Sequence, residues 1–385
     1  MRTEKDRAEP APSLGASYLQ YGGQAVIEGV MMRSPRYFAV SCRKPDGEIV
    51  TRCEEVDKGL LRKLKFLNRP FLRGSLALID AMALGARALK FASSVQMEAQ
   101  LAQNYGKQAR VSERAASNGN GIGSRLEAAI EADSASLVNG PPILVSEGAP
   151  EIGRINDVAI GGTIVLSFVF GIGLFVLAPT LLTGALQKLG YASHITYHKT
   201  FWLNLTDGAI RMAIFFGYIA LISLMPQIRE VFKFHGAEHK AINTLEAGRP
   251  LNRQTALEAS RIHPRCGTSF IFIVLVINLI VFAFLPRPVW YLRVPLHLSV
   301  IPLVAGLAYE VIKLAGKYRR YPLVMAVFAP GMWSQYLTTR EPEVEQVDVA
   351  LAALNAVLEA EAALARQENL VSLPANAAET QTVTA

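Results

Sequence analysis

The sequence predicts an α-helical polytopic membrane protein of about four spans plus interfacial helices, with a small N-terminal β-hairpin region. Composition and the clumping of apolar residues predict the membrane class. Of 385 residues 51% are hydrophobic and only 18% charged, against about 25% charged in ordinary soluble domains. Ile160 to Leu182, Met212 to Ile228 and Gly267 to Leu285 contain no ionisable residue, and Val294 to Tyr309 carries only His297. A span needs roughly 20 mostly apolar residues, with a working range of about 17 to 25. Charge-free runs of this length argue against buried helices of a soluble core.

The distribution of Lys and Arg sets the expected topology. The loop 227–267 carries Arg229, Lys233, Lys240, Arg249, Arg253, Arg261 and Arg265, whereas Thr183 to Asp207 carries only Lys188 and Lys199. Arg287 and Arg293 follow the third run, and Lys313, Lys317, Arg319 and Arg320 follow the fourth. Because basic residues accumulate on the cytoplasmic side, both termini and the 227–267 loop are expected in the cytoplasm of a bacterial inner membrane. The first forty residues lack a short apolar core with a cleavage site, so no secretory signal is expected. The net charge of +7 is explained by topology and by anionic lipid, with no nucleic-acid partner. Transport has little support, because no predicted span carries a charge near its middle.

Two further apolar stretches read as non-spanning. Tyr321 to Leu337 is broken by Pro330-Gly331 and is expected to lie at the interface or re-enter. Phe71 to Val95 is interrupted by Arg73, Asp80, Arg87 and Lys90, and is expected to lie on the membrane or pack against the bundle. Residues 1–16 read as disordered, 17–99 as the β-hairpin region plus this helix, and 100–154 as a flexible linker with a weak helix at Ser124 to Glu131. The membrane domain covers 155–345, an amphipathic helix 346–367 and a polar tail 368–385. Within the first region, Tyr37 to Cys42 and Glu48 to Cys53 flank Pro45-Asp46-Gly47 as a hairpin. The three cysteines, Cys42, Cys53 and Cys266, form no disulfide framework and are expected as buried free thiols.

The chemistry concentrates in the basic loop. Residues 235–239 read His-Gly-Ala-Glu-His, and on a helix from Arg229 to Ala247, capped by Gly248, His235, Glu238 and His239 share one face. Two imidazoles one turn apart with a carboxylate between them in sequence is the ligand-plus-base pattern of zinc hydrolases, in its inverted order. His263-Pro264-Arg265-Cys266-Gly267 adds a nitrogen and a sulfur ligand. If His235, His239, His263 and Cys266 all bind, the site is closed and structural; if three bind, a water position opens and Glu238 is placed as general base. Zinc, or another divalent transition metal, is the expected cofactor. Glu246 and Glu258 are spare carboxylates able to replace a loop ligand. Glu28 and Glu310 are the candidates for orienting ligands from behind, or else simple partners of nearby cations.

Gly22-Gly23-Gln24-Ala25-Val26-Ile27-Glu28-Gly29-Val30-Met31-Met32-Arg33, Phe234 to Lys240 and His263 to Ser269 together resemble the bacterial family catalogued as domain of unknown function 1385. So do Tyr309-Glu310-Val311-Ile312-Lys313 and Thr338-Thr339-Arg340-Glu341-Pro342. The resemblance runs from about Tyr21 to Glu345, and it implies a multi-span inner-membrane protein with the label of a predicted metal-dependent enzyme. Two functional readings result. One is a cytoplasm-facing metal-dependent hydrolase acting on a peptide or lipid-linked substrate. The other is a non-enzymatic scaffold or assembly factor with a structural zinc, docking partners through its basic loop and C-terminal helix.

Overall fold

Strands and helices form where local chemistry allows both of their faces to be satisfied. The computed structural model describes residues 21–56, 73–117, 162, 165–190, 199–264, 266–318 and 321–372. The chain divides into one unit of residues 1–95 with 179–385 and another of residues 96–178. In the first, β1 (Gly22–Val26), β2 (Gly29–Arg33), β3 (Tyr37–Arg43) and β4 (Ile49–Glu55) make an antiparallel meander in that order. The β3–β4 hairpin turns at 44–48 as expected, with Gly47 at φ 93° and the Glu48 amide donating to Asp46 Oδ1 at 3.0 Å. The β1–β2 hairpin has no turn signal in sequence, because Ile27 and Glu28 make the turn and Glu28 itself takes φ 49°.

Both faces of the sheet are covered, which explains why β2 and β3 read as continuous apolar runs rather than alternating ones. Val30, Met32 and Ala39 pack on one side with residues from 234–256 and 347–357, while Met31, Phe38, Val40 and Cys42 pack on the other. The second layer is α1 (Arg73–Ser117), whose Leu84, Ala88, Ala92 and Val95 lie on the sheet. Its charges pair with the sheet: Arg33 with Asp80 at 2.5 Å and Arg87 with Glu54. Cys42 faces Val50 and Cys53 faces Ala39, three positions apart on β3, so the two thiols project from opposite faces. All three cysteines are free, and Cys53 is exposed rather than buried. Burial pushes the Cys42 thiol up to about 12.

Helix α1 corrects one boundary, since it runs through 100–117, which the sequence reading assigns to a linker. That stretch is rich in Ala, Gln, Glu, Lys and Arg, strong helix formers that need no apolar period. The rest of the expected linker, the N-terminal 1–16 and the tail beyond Ser372 lie outside the described residues.

Among the described residues, three helices are long and apolar enough to cross a membrane: α2 (Val165–Lys188), α3 (Lys199–Ile222), and residues Pro295–Leu314 of α7 (Trp290–Lys317). α6 (Gly267–Ala283) has 17 residues, at the lower margin for a crossing, so the described helices supply three long spans against about four expected. The second run is also displaced. Pro226 opens α4 (Pro226–Glu246) at its first turn, and α3, 24 residues long from its start at Lys199, ends before it at Ile222. Asp207 and Arg211 therefore fall inside α3, which overturns the expectation that no span carries an internal charge. They pair with each other at 3.0 Å, so their charge is compensated within the helix.

The remaining elements are α5 (Arg253–Glu258), α8 (Pro322–Trp333), the single turn α9 (Gln335–Thr338) and α10 (Val344–Ser372). At 12 residues α8 is too short to span. α10 buries Val347, Ala350, Leu351, Leu354 and Val357 in the core shared with the sheet and α4. The apolar stripe seen in the sequence is thus spent inside the protein, and the docking role assigned to it in the scaffold reading loses its surface.

Candidate metal centre

Helix α4 places His235, Glu238 and His239 on a face that turns inward. It ends where Gly248 takes φ 64° and its amide reaches the Leu245 carbonyl at 3.0 Å. Past this cap and α5, the chain returns along α4 as an irregular segment from Ala259 to Pro264. Polar side chains hold that return in place. Lys240, 3% exposed, spends all three ammonium protons on Leu257 O at 2.6 Å, Ala259 O at 2.8 Å and Glu341 Oε1 at 2.6 Å. Asn243 donates to Ser260 O and Ile262 O, and Gln335 clamps the backbone of His263 from both sides.

The return brings Cys266 to the histidines. His235 Nε2 lies 3.2 Å from Cys266 Sγ, and the His235 and His239 rings are 4.4 Å apart, centroid to centroid. One ligand atom from each of His235, His239 and Cys266 lies within 4.8 Å of the other two. Each imidazole is held from behind: His235 Nδ1 at 2.8 Å from Thr338 O, and His239 Nδ1 at 2.6 Å from Arg261 O. A carbonyl only accepts, so each Nδ1 carries the proton and each Nε2 presents a lone pair to the cluster. His239 Nε2 is buried without a hydrogen-bond partner, with Glu238 Oε2 at 3.5 Å. His235 Nε2 has the Cys266 sulfur beside it, whereas His239 Nε2 is left to be met by a cation or a proton. Cys266 is the N-cap of α6, and its sulfur accepts from the Thr268 amide at 3.4 Å.

Glu238 is 4% exposed. Burial raises its pKa, opposed by the charges of His235 and His263 and by a hydrogen bond from the Gly23 amide. Burial lowers the pKa of both His239 and His263, which favours the neutral, metal-ready imidazole. Gly23 is required for this contact: a Cβ there would lie 2.5 Å from Met31 O and 2.8 Å from Glu238 Cγ. Gly23→Ala is therefore expected to push Glu238 off its place while leaving the His/Cys ligands intact. The check is metal retained at wild-type stoichiometry together with a changed visible spectrum of the cobalt-loaded protein.

The other sequence candidates are placed as follows. The His263 ring sits 5.7 Å from His239 but directs Nε2 to Glu246 Oε1 at 3.3 Å, so it stands beside the three-ligand group. Glu258 pairs with Arg249. Glu28 is at the tip of the β1–β2 turn, where its charged neighbours are Glu230, Arg43 and Lys233. Glu310 is half-buried on α7. The sequence reading overlooked Lys240, Asn243 and Gln335 as positioning residues. Only Lys240 carried a signal, a lysine one turn past Gly236 on the buried side of a helix.

Fold and site together define a class: a membrane-type helical protein in which a small β-sheet and α4 enclose a His-His-Cys cluster. A family described as "Protein of unknown function (DUF1385)" matches residues 69–360, and the chain belongs to that family. It is 31% identical over 353 residues to the protein printed as "Uncharacterized protein YqhQ" of Bacillus subtilis (strain 168), covering 89% of this chain and 93% of that relative. No solved structure matches.

Proposed function

We propose that the protein is a multi-pass protein of the bacterial inner membrane that holds one zinc or similar divalent metal between His235, His239 and Cys266. It would use this metal to hydrolyse a peptide or lipid-linked substrate at the cytoplasmic surface. In this reading α6 makes a fourth crossing, extended by Phe284 and Leu285, and both termini face the cytoplasm. The observation that carries the proposal is the pair of back-anchored imidazoles presenting Nε2 to one thiol(ate), with His239 Nε2 otherwise unsatisfied in the interior. Orphaned buried polar atoms are rare and call for an explanation, and two nitrogens with one sulfur match the donor preference of zinc.

Three protein ligands leave one position for a reactant, and a bound metal supplies Lewis acidity there. The chain's own part is positional. Thr338 O and Arg261 O fix the ring tautomers, the Gly23 amide aims Glu238, and Glu238 stands within reach to take up a proton. His263, turned to Glu246, stays out of the ligand set, which supports an open rather than a four-ligand site.

The burial of His239 (1% exposed) and Glu238 favours the second reading, a structural zinc in a scaffold protein. Cobalt substitution separates the two. The cobalt protein is expected to show a thiolate-to-metal absorption band that disappears in Cys266→Ser. Added acetohydroxamate is expected to shift the ligand-field bands, as an exchangeable position requires. A thiolate band with ligand-field bands untouched by hydroxamate would reject the hydrolase and leave the structural zinc.

A further inference from the structure

The charges inside α3 do not belong to the metal centre. α6 begins beside Cys266 and ends at Ala283, so its two ends are about 25 Å apart at 1.5 Å per residue. At the far end, Asp207 and Arg211, each 8% exposed, are paired at 3.0 Å. Arg211 Nη2 is also 3.0 Å from His297 Nε2 on α7. A guanidinium only donates, so His297 accepts with Nε2 and is neutral there, its ring stacked on Phe282 at 4.2 Å. Thr183 of α2 donates to Asp207 Oδ1 at 3.4 Å, and Asn204 ties α3 to the carbonyls of Phe282 and Leu285.

A polar assembly sunk into apolar helices is costly, and such residues commonly mark a binding site or pathway. Here the assembly lines a cavity. Arg211, Arg287, Asn204, Asn278, Asp207 and His297 all border it, two guanidiniums and two amides to one carboxylate. The space within it open to a water-sized group is about 20 Å³, room for about one such group. Pro286 and Pro288, either side of Arg287 in the connection between α6 and α7, border the cavity as well, just before the exposed Tyr291, a residue type that settles at headgroup level.

We propose that this cavity is a second site, for a phosphate anion at the membrane surface opposite the His/Cys cluster. One phosphate oxygen enters this space against Arg211, held in orientation by Asp207 and His297, while Arg287 meets the rest of the group. Planar guanidinium donors match phosphate geometry. The anion comes either from a lipid headgroup or from free phosphate.

The test uses the full chain. In nanodiscs of mixed phosphatidylglycerol and phosphatidylcholine, native mass spectrometry is expected to show phosphatidylglycerol retained over phosphatidylcholine. Retention is expected to fall about tenfold or more in Arg287→Gln and Arg211→Gln, and to recover partly in Arg211→Lys. Calorimetric titration of the delipidated protein with inorganic phosphate identifies the source: heat lost in the same variants assigns free phosphate, and silence beside lipid retention assigns the headgroup. Arg287→Gln, at a half-buried position on the cavity rim, keeps the test valid if changes at Arg211 unfold the protein. Equal retention of both lipids with no phosphate heat, or retention and phosphate heat both unchanged in Arg287→Gln, would leave only a structural ion pair and overturn the proposal.

Discussion

His239→Ala is expected to abolish metal binding and to lower thermal stability with the metal gone. The ring does three things that alanine cannot. It supplies Nε2 to the cluster, it accepts the fixed orientation imposed by Arg261 O at 2.6 Å, and it fills a fully enclosed space beside His235 and His263. Removing it leaves two ligands, too few for a stable site, and leaves Arg261 O and Glu238 facing a void. A protein carrying metal at about one hundred times its dissociation constant is stabilised by about 2.7 kcal/mol, and that contribution goes with the ligand. A cavity cost of order 2–5 kcal/mol adds to it. The check is elemental analysis beside a thermal melt of the same preparation. A chelator added to the wild type is expected to reproduce the first loss without the second.

Gly236→Ala is expected to be nearly as damaging, although the residue binds nothing. A Cβ at this position would run into the Arg340 carbonyl oxygen, with Pro342 close behind. The 338–342 segment cannot simply retreat, because the Arg340 amide donates to Phe232 O on the same helix at 2.8 Å. Thr338 O at the head of that segment also anchors His235 Nδ1. Overpacking of this kind costs about 1–3 kcal/mol. Displacing the partner behind a metal-binding histidine weakens affinity by about 10–100-fold. Both should appear together in a metal titration and a melt. Gly217→Ala, with open space around its Cβ, serves as the control and should leave both unchanged.

Part of this architecture was legible in the sequence because the determinants are local. The spacing of His235, Glu238 and His239 shows a shared face, Gly248 marks the helix end, and charge-free runs announce apolar helices. The hairpin at Pro45-Asp46-Gly47 carries its own turn chemistry. What was hidden depends on distant partners. The β1–β2 hairpin bends at Ile27-Glu28, residues without turn preference, while its sheet is covered on one face by α1 and on the other by the distant α4 and α10. Asp207 and Arg211 fall outside the charge-free runs, and only their mutual pairing makes them tolerable inside α3. The position of His263 is decided by Gln335, 72 residues on, which grips its backbone, and by Glu246, which receives its ring. Nothing near His263 in the chain distinguishes a ligand from a neighbour of ligands.

The most direct test of the central claim is the metal content of the detergent-purified protein by elemental mass spectrometry, with His235→Ala, Cys266→Ala and His263→Ala beside it. The geometry predicts about one zinc or similar transition metal per chain, lost in His235→Ala and Cys266→Ala and retained in His263→Ala. A wild-type protein without metal after metal-replete growth would contradict the account, as would metal retained when both His235 and Cys266 are replaced.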